Sequence, residues 1–254
     1  MIAQPAHWPK ARRKTEANMN ILILTGAGIS AESGIPTFRD ANGLWEGHAF
    51  EEVATPAAFA RNPRLVQDFY NQRRRALLGL EIRPNPAHSA LAEFEERFSR
   101  GDDGDFLLVT QNIDDLHERA GSRHVLHMHG ELLKVQCLET LECYPWREDL
   151  DDNTPHPDDP DDEARRGLLR PHVVWFGEMP IGLDRIEKAA TRADVFIAIG
   201  TSGLVYPAAG IVSMTPPSCR RIEINMDDTP ASPSFDETIR GKASETVGKV
   251  LATL

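Results

Sequence analysis

Four short apolar runs recur along the chain, at residues 21–24, 106–109, 195–199 and 222–224, each bounded by Gly, Asp or Asn. Strands that are apolar at every position, rather than at alternate ones, are buried on both faces, as in parallel sheets covered by helices. Helical stretches separate the runs. The pattern therefore predicts an α/β fold, a Rossmann-like doubly wound parallel sheet. Ligands of such sheets bind at the carboxyl ends of the strands. Three polar motifs fall there: TGAGIS after the first run, TQNIDD after the second and GTS after the third.

Two stretches do not fit the wound sheet and are assigned to a smaller accessory lobe spanning about residues 44–85 and 131–172. The first holds a helical segment from about residue 56 to 80. The second holds an acidic, Pro-rich patch over residues 148–163, where nine of sixteen residues are Asp or Glu, which predicts a solvated loop with few core contacts. Residues 1–18, with Pro5, Pro9 and a basic cluster but no apolar periodicity, read as a flexible leader, leaving one domain over 19–254.

With 28 Lys and Arg against 39 Asp and Glu, the 254-residue chain carries a net charge of -11, which opposes binding to nucleic acid or to anionic membranes. A Lys-bearing partner suits this charge better. No run of eighteen apolar residues and no secretory h-region occur, so a cytoplasmic location is expected. Three cysteines give no basis for a disulfide framework.

The loop Gly26-Ala27-Gly28-Ile29-Ser30-Ala31 matches the GxGxxG/A pattern, in which the first two glycines let backbone approach a diphosphate at a helix N-terminus. Gly34 and Pro36 then break regular structure, so the segment GIPTFRD forms a loop over the nucleotide, with Phe38 either shielding a reacting carbon or packing in the core. The dense polar set Gln111, Asn112, Asp114 and Asp115 is costly at a strand end unless each group finds a partner, and one of them alone would serve as a helix cap. His127 and His129 share a face if their segment is a strand. Either could act as a general base near neutral pH, and metal binding by the pair lacks an identifiable third ligand.

Taken in order, TGAGIS, GIPTFRD, TQNIDDLH, HG at 129–130 and GTS resemble the sirtuin signature set from about residue 20 to the C-terminus. The resemblance implies NAD as cofactor, acyl-lysine proteins as partners, and transfer of the acyl group to ADP-ribose with release of nicotinamide. It assigns Gly26, Ala27, Gly28 and Ser30 to the diphosphate and ribose, and Phe38 and Arg39 to the loop over the nicotinamide ribose. Gln111, Asn112, Ile113 and Asp114 go to the nicotinamide pocket, Gly200, Thr201 and Ser202 to phosphate and ribose, and Asn225 and Ala243 to the adenosine side. His129 matches the catalytic base, with Asn112 beside it. ADP-ribosyl transfer, plain NAD hydrolysis and a silent NAD-sensing module remain as alternatives.

Sirtuins that remove succinyl and malonyl groups carry a Tyr and an Arg three residues apart, and Tyr70 and Arg73 stand in that place. On a helix they would share a face, and a guanidinium and a phenol can together read a carboxylate. Val173, Val174, Trp175, Phe176 and Gly177 resemble the extended segment that pairs with substrate backbone. The family's zinc module is incomplete. Only Cys137 and Cys143 lie in that region, and two thiolates do not close a tetrahedral site. His156 and nearby aspartates could complete it only from within the acidic loop, so zinc stays open.

Overall fold

The computed structural model describes residues 19–37, 44–45, 48–98 and 104–254. The expected leader, Phe38 and Arg39 lie outside the described residues. In chain order the strands are β1 (Ile21–Thr25), β2 (Leu44–Trp45), β3 (His48–Ala49), β4 (Phe106–Thr110), β5 (Val125–His127), β6 (Gly130–Cys137), β7 (Cys143–Pro145), β8 (Leu169–Val173), β9 (Val195–Ile199), β10 (Arg220–Asn225) and β11 (Glu237–Arg240). The α-helices are α1 (Ala27–Ser30), α2 (Phe50–Val53), α3 (Pro56–Arg61), α4 (Pro63–Leu77), α5 (Pro86–Phe98), α6 (Leu116–Ala120), α7 (Leu183–Ala190), α8 (Ile211–Met214) and α9 (Ala243–Leu251).

All four apolar runs are strands of one six-stranded sheet, ordered β11-β10-β9-β1-β4-β5 and parallel throughout. Side chains alternate between its faces. Ile21, Ile23, Leu108, Ile197, Ile222 and Ile224 pack with residues of α5 and α9, such as Leu91 and Val247. Leu22, Leu24, Leu107, Val109 and Phe196 pack on the other face with Ile186 of α7 and Ile211 of α8. Each such side chain contributes about 1.5–3 kcal/mol by leaving water. The edge strand β11 has no apolar run. It is held by charge: Arg220 pairs with Glu237 at 2.7 Å, and Arg240 pairs at 2.8 Å with Glu223, which is buried.

The accessory lobe combines a three-stranded antiparallel sheet, ordered β7-β6-β8, with α2, α3 and α4. Thr55 and Asn62 start α3 and α4 by accepting hydrogen bonds from Ala58 N and Leu65 N, each followed by a proline in the first turn. The buried face of α4 sets Val66, Phe69 and Tyr70 against Leu132, Val173 and Trp175. Residues 148–163 lack long elements, yet they are less solvated than their charge predicts. Leu150, Thr154 and His156 are buried, and Asn71 holds Leu150 by hydrogen bonds to both its N–H and its carbonyl. The apolar and ring-bearing residues interrupting the acidic run anchor it.

The chain passes from β1 to β4 and β5 on one side, then crosses to β9, β10 and β11 on the other, so the order reverses between β1 and β9. There the two strand-end loops touch backbone to backbone. Gly26 N donates to Ile199 O at 3.0 Å and Gly28 N to Gly200 O at 2.9 Å. A Cβ on Gly28 would lie 2.7 Å from the Gly200 Cα, and Gly200, at φ +61°, would place its own Cβ 2.6 Å from Ile29 N. Both the conformation and the space require glycine. Gly200→Ala should therefore lower stability by about 2 kcal/mol or more, the left-handed penalty plus the clash. Urea denaturation measures it, and an unchanged midpoint would show that the contact yields freely.

Candidate functional site

The carboxyl ends of β1, β4, β9 and β10 open into one cleft of about 830 Å³, closed on the far side by α4 and the end of β8. Gly26, Ala27, Gly28 and Ser30 enter it after β1, and Gln111, Asn112, Ile113 and Asp114 after β4. Gly200, Thr201 and Ser202 follow β9, and Asn225 closes β10. His129, Tyr70, Arg73, Val173, Val174, Trp175, Phe176 and Gly177 complete the walls among the described residues. Ala243 begins α9 and packs in the core beneath the sheet, outside the lining of this cleft. Its neighbour Ser244 binds Glu32 through both N–H and hydroxyl, which ties this helix end to the 31–33 turn.

A buried polar bed lies under the β1 and β4 loops. The Asn112 amide donates to Gly26 O at 3.2 Å and to Ser30 Oγ at 3.1 Å, while the Ser30 hydroxyl donates to Asp114 at 3.0 Å. Burial pushes the Asp114 carboxyl up from its ordinary value, opposed by the Leu116 N–H, the Ser30 hydroxyl and the charge of His127. Thr25 meets His117 Nε2 at 3.0 Å, and the His117 ring lies 4.9 Å from that of His88. Burial drives both imidazoles down, His88 to about 4 and His117 well below the usual value, so both are neutral. Sequence reasoning gave the set a ligand as partner, whereas much of it is satisfied within the protein.

His129 Nδ1 lies 3.1 Å from Gln111 O. A carbonyl only accepts, so Nδ1 carries the proton and Nε2 keeps its lone pair. Burial lowers the His129 pKa, with the Gln111 carbonyl opposing, which favours the neutral base.

On α4, Tyr70 is fully buried and its hydroxyl accepts from Trp175 Nε1 at 3.1 Å. Arg73, one turn along, lies over the Phe69 ring at 3.2 Å and donates Nη1 to Phe69 O at 2.7 Å. The three consecutive arginines separate completely. Arg75 is exposed against Asp149, and Arg74 is buried, donating to Leu132 O, Asn71 and Glu148 O.

The expected extended segment at 173–177 needs correction. Strand β8 ends at Val173, Val174 N binds His129 O, and the chain then turns, with Gly177 at φ +93° and Glu178 N bonded to Trp175 O. The cause is Glu178. Its carboxylate takes the Trp175 N–H at 2.7 Å and pairs with Arg170 at 2.6 Å, while Arg170 covers the Trp175 ring at 3.5 Å. Sequence reasoning missed both Arg170 and Glu178. The continuous apolar run VVWF between them gave no sign of a turn.

Residues 26–207 match the Sir2 family. A curated relative from Rhodopirellula baltica, described as an NAD-dependent protein deacylase, is 72% identical over 233 residues, spanning 92% of this chain and 98% of the relative. One of the same description from Bdellovibrio bacteriovorus is 54% identical, spanning 91% and 95%. The chain belongs to the Sir2 family. Among solved structures, a Sir2 homologue in complex with NAD superposes with TM-score 0.79 at 41% identity, covering 99% of this chain and 96% of that one. A Sir2 complex with a p53 peptide and NAD+ gives 0.71 at 31% identity, covering 92% of each.

The cleft of this Sir2 chain fits NAD. Glycine backbone at 26, 28 and 200 lines one side of the cleft where any Cβ would collide, and the amide and carboxylate of Asn112 and Asp114 line the next. Zinc does not fit in the same way. In the antiparallel pairing of β6 with β7, Cys143 stands opposite Gln136, so Cys143 and Cys137 point to opposite faces of the lobe sheet. Cys137 is buried with Val135, Leu150 and Leu169, whereas Cys143 is exposed beside His172 at 3.3 Å. Among the described residues no group of three His, Cys, Asp or Glu is placed to hold a metal, which also removes the His127 and His129 pair. The purified chain should hold less than about 0.1 zinc per molecule and keep its melting temperature in chelator. One tightly held zinc per chain, lost together with the fold on chelation, would contradict this.

Proposed function

We propose that this NAD-dependent protein deacylase prefers lysines carrying acidic acyl groups, succinyl or malonyl, over acetyl-lysine. The observation that carries the reading is the pair of Tyr70 and Arg73, both on the cleft wall formed by α4. Both residues line the partly enclosed cleft, where a charge-assisted contact to a carboxylate is stronger than in water. Stacking on Phe69 restricts the Arg73 side chain in advance, which lowers the entropy lost on binding.

When bound, NAD supplies an electrophilic ribose carbon and the acceptor for the acyl group, releasing nicotinamide and leaving O-acyl-ADP-ribose. Gln111, Asn112, Ile113 and Asp114 are assigned to orient the nicotinamide end, and Gly26, Ala27, Gly28, Ser30, Gly200, Thr201, Ser202 and Asn225 to hold the rest. His129 Nε2 is assigned to take a proton from a ribose hydroxyl, as its tautomer allows. Trp175, Phe176 and Val174 keep water from the acyl-lysine, and the turn closing at Gly177 borders the substrate backbone. Transfer to another acceptor uses the same cleft but has no use for a carboxylate reader.

His129→Ala should bind NAD with little change yet slow deacylation by about a hundredfold or more, the scale of a lost general base. Because burial lowers its pKa, the wild-type rate should hold down to the ordinary imidazole value of about 6.5 and fall only below it, as protonation removes the lone pair. A mutant near wild-type turnover, or an acid limb above that value, would exclude the role.

Arg73→Met keeps the apolar stem and removes the fork. kcat/KM for succinyl- and malonyl-lysine peptides should fall by about thirtyfold or more, with acetyl-lysine changed less than about threefold. Tyr70→Phe should cost the acidic substrates more than twofold. Equal losses on all substrates would place Arg73 in the fold rather than in acyl recognition.

A further inference from the structure

His127 and His129 are two residues apart and treat two successive carbonyls alike. His129 Nδ1 lies 3.1 Å from Gln111 O, and His127 Nδ1 lies 3.1 Å from Asn112 O. The second ring nitrogens differ. That of His129 belongs to the cleft wall, while that of His127 meets Glu118 Oε1 at 2.8 Å. Both neighbours of His127 are acceptors, so both of its nitrogens carry protons and its ring is an imidazolium, 7% exposed. The charged and titratable groups around it are Glu118 of α6, Glu131 of β6, Asp114, His117 and His172. Burial alone would neutralise the ring, but Glu118, Glu131 and the Asn112 carbonyl together outweigh it and the net shift is upward.

The Asn112 carbonyl belongs to the residue whose side chain bridges Gly26 O and Ser30. Turning that peptide would swing the amide off both acceptors and withdraw the positive ring that offsets the burial of Asp114. We infer that His127 is a positioning residue for deacylation: held by Glu118, it fixes the Asn112 peptide through Nδ1–H and so keeps the Asn112 and Asp114 side chains aimed at the cofactor. This rests on the assignment of Asn112 and Asp114 to the cofactor.

Two substitutions separate the two ends of the ring. In His127→Asn the amide nitrogen replaces Nδ1 and retains the bond to Asn112 O while abandoning Glu118. In His127→Gln the amide reaches the Glu118 side and abandons the Asn112 carbonyl. Nicotinamide release by the full chain with an acyl-lysine peptide should show kcat down about tenfold in the Gln variant, with peptide KM within about twofold. The Asn variant should keep kcat within about threefold at a similar or lower melting temperature. Equal losses in both variants, or losses that follow melting temperature, would make His127 a plain structural residue and overturn the inference. Wild-type kcat in the Gln variant would also overturn it. His129→Ala assayed alongside separates the two levels. If it is inactive while His127→Gln is fully active, the positioning role alone fails; if it is active, the site assignment falls and this role with it.

Discussion

The backbone contact between the loop after β1 and the loop after β9 is the constraint on which the cleft depends. Gly28 N to Gly200 O is one hydrogen bond of 2.9 Å, but it stands at the single point where the sheet order reverses, and no side chain fits between the two chains. A closer approach is blocked by the backbones themselves. Ser30, Asn112 and Asp114 take their positions from this contact, since the Asn112 amide is tied to Gly26 O and the Ser30 hydroxyl to Asp114. The glycines thus set the geometry of residues that never touch Gly200.

The second feature of the site is how little of its polarity is left to the ligand. Buried amides, hydroxyls and imidazoles are each costly without partners. Here Thr25 meets His117, Asn85 ties Ile29 O to Ser33, and the two histidines at 127 and 129 each hold a strand-end carbonyl. Such a bed is rigid before any ligand arrives, so the entropy of arranging it is not charged to binding. The acyl end is organised differently. Aromatic contacts among Phe59, Tyr70 and Trp175, with Arg170 and Glu178 behind them, shape that wall by packing and one ion pair.

The sheet was legible because its strands are apolar on both faces, and the cofactor-side motifs were legible because each follows such a strand. Tyr70 and Arg73 were singled out by the family resemblance, with helical spacing adding only that they share a face, and both line the cleft. What was hidden follows from interactions that leave no periodic trace. Strand β11 reads Glu-Thr-Ile-Arg and is retained at the edge by ion pairs with β10 and Glu223. Arg74 is indistinguishable in sequence from Arg73 and Arg75, yet two backbone oxygens from distant segments and the Asn71 amide oxygen on its own helix draw it inside. The turn at Gly177 depends on the Glu178 carboxylate finding both Arg170 and the Trp175 N–H. The pairing that sends Cys137 and Cys143 to opposite faces depends on hairpin register, which spacing alone does not give.

The central place of β1 also has a consequence for how the chain comes into being. Ile21 pairs with Phe106 on one side and Val195 on the other, so β1 leaves the ribosome well before either of the segments that flank it. With synthesis at about 5–20 residues per second, a fully apolar strand waits several seconds or more for its first neighbour and longer for its second. Long-range parallel pairing of this kind is slow and exposes sticky segments meanwhile. The topology that gives the enzyme its crevice therefore leaves β1 in need of shielding in the nascent chain until β9 has been translated.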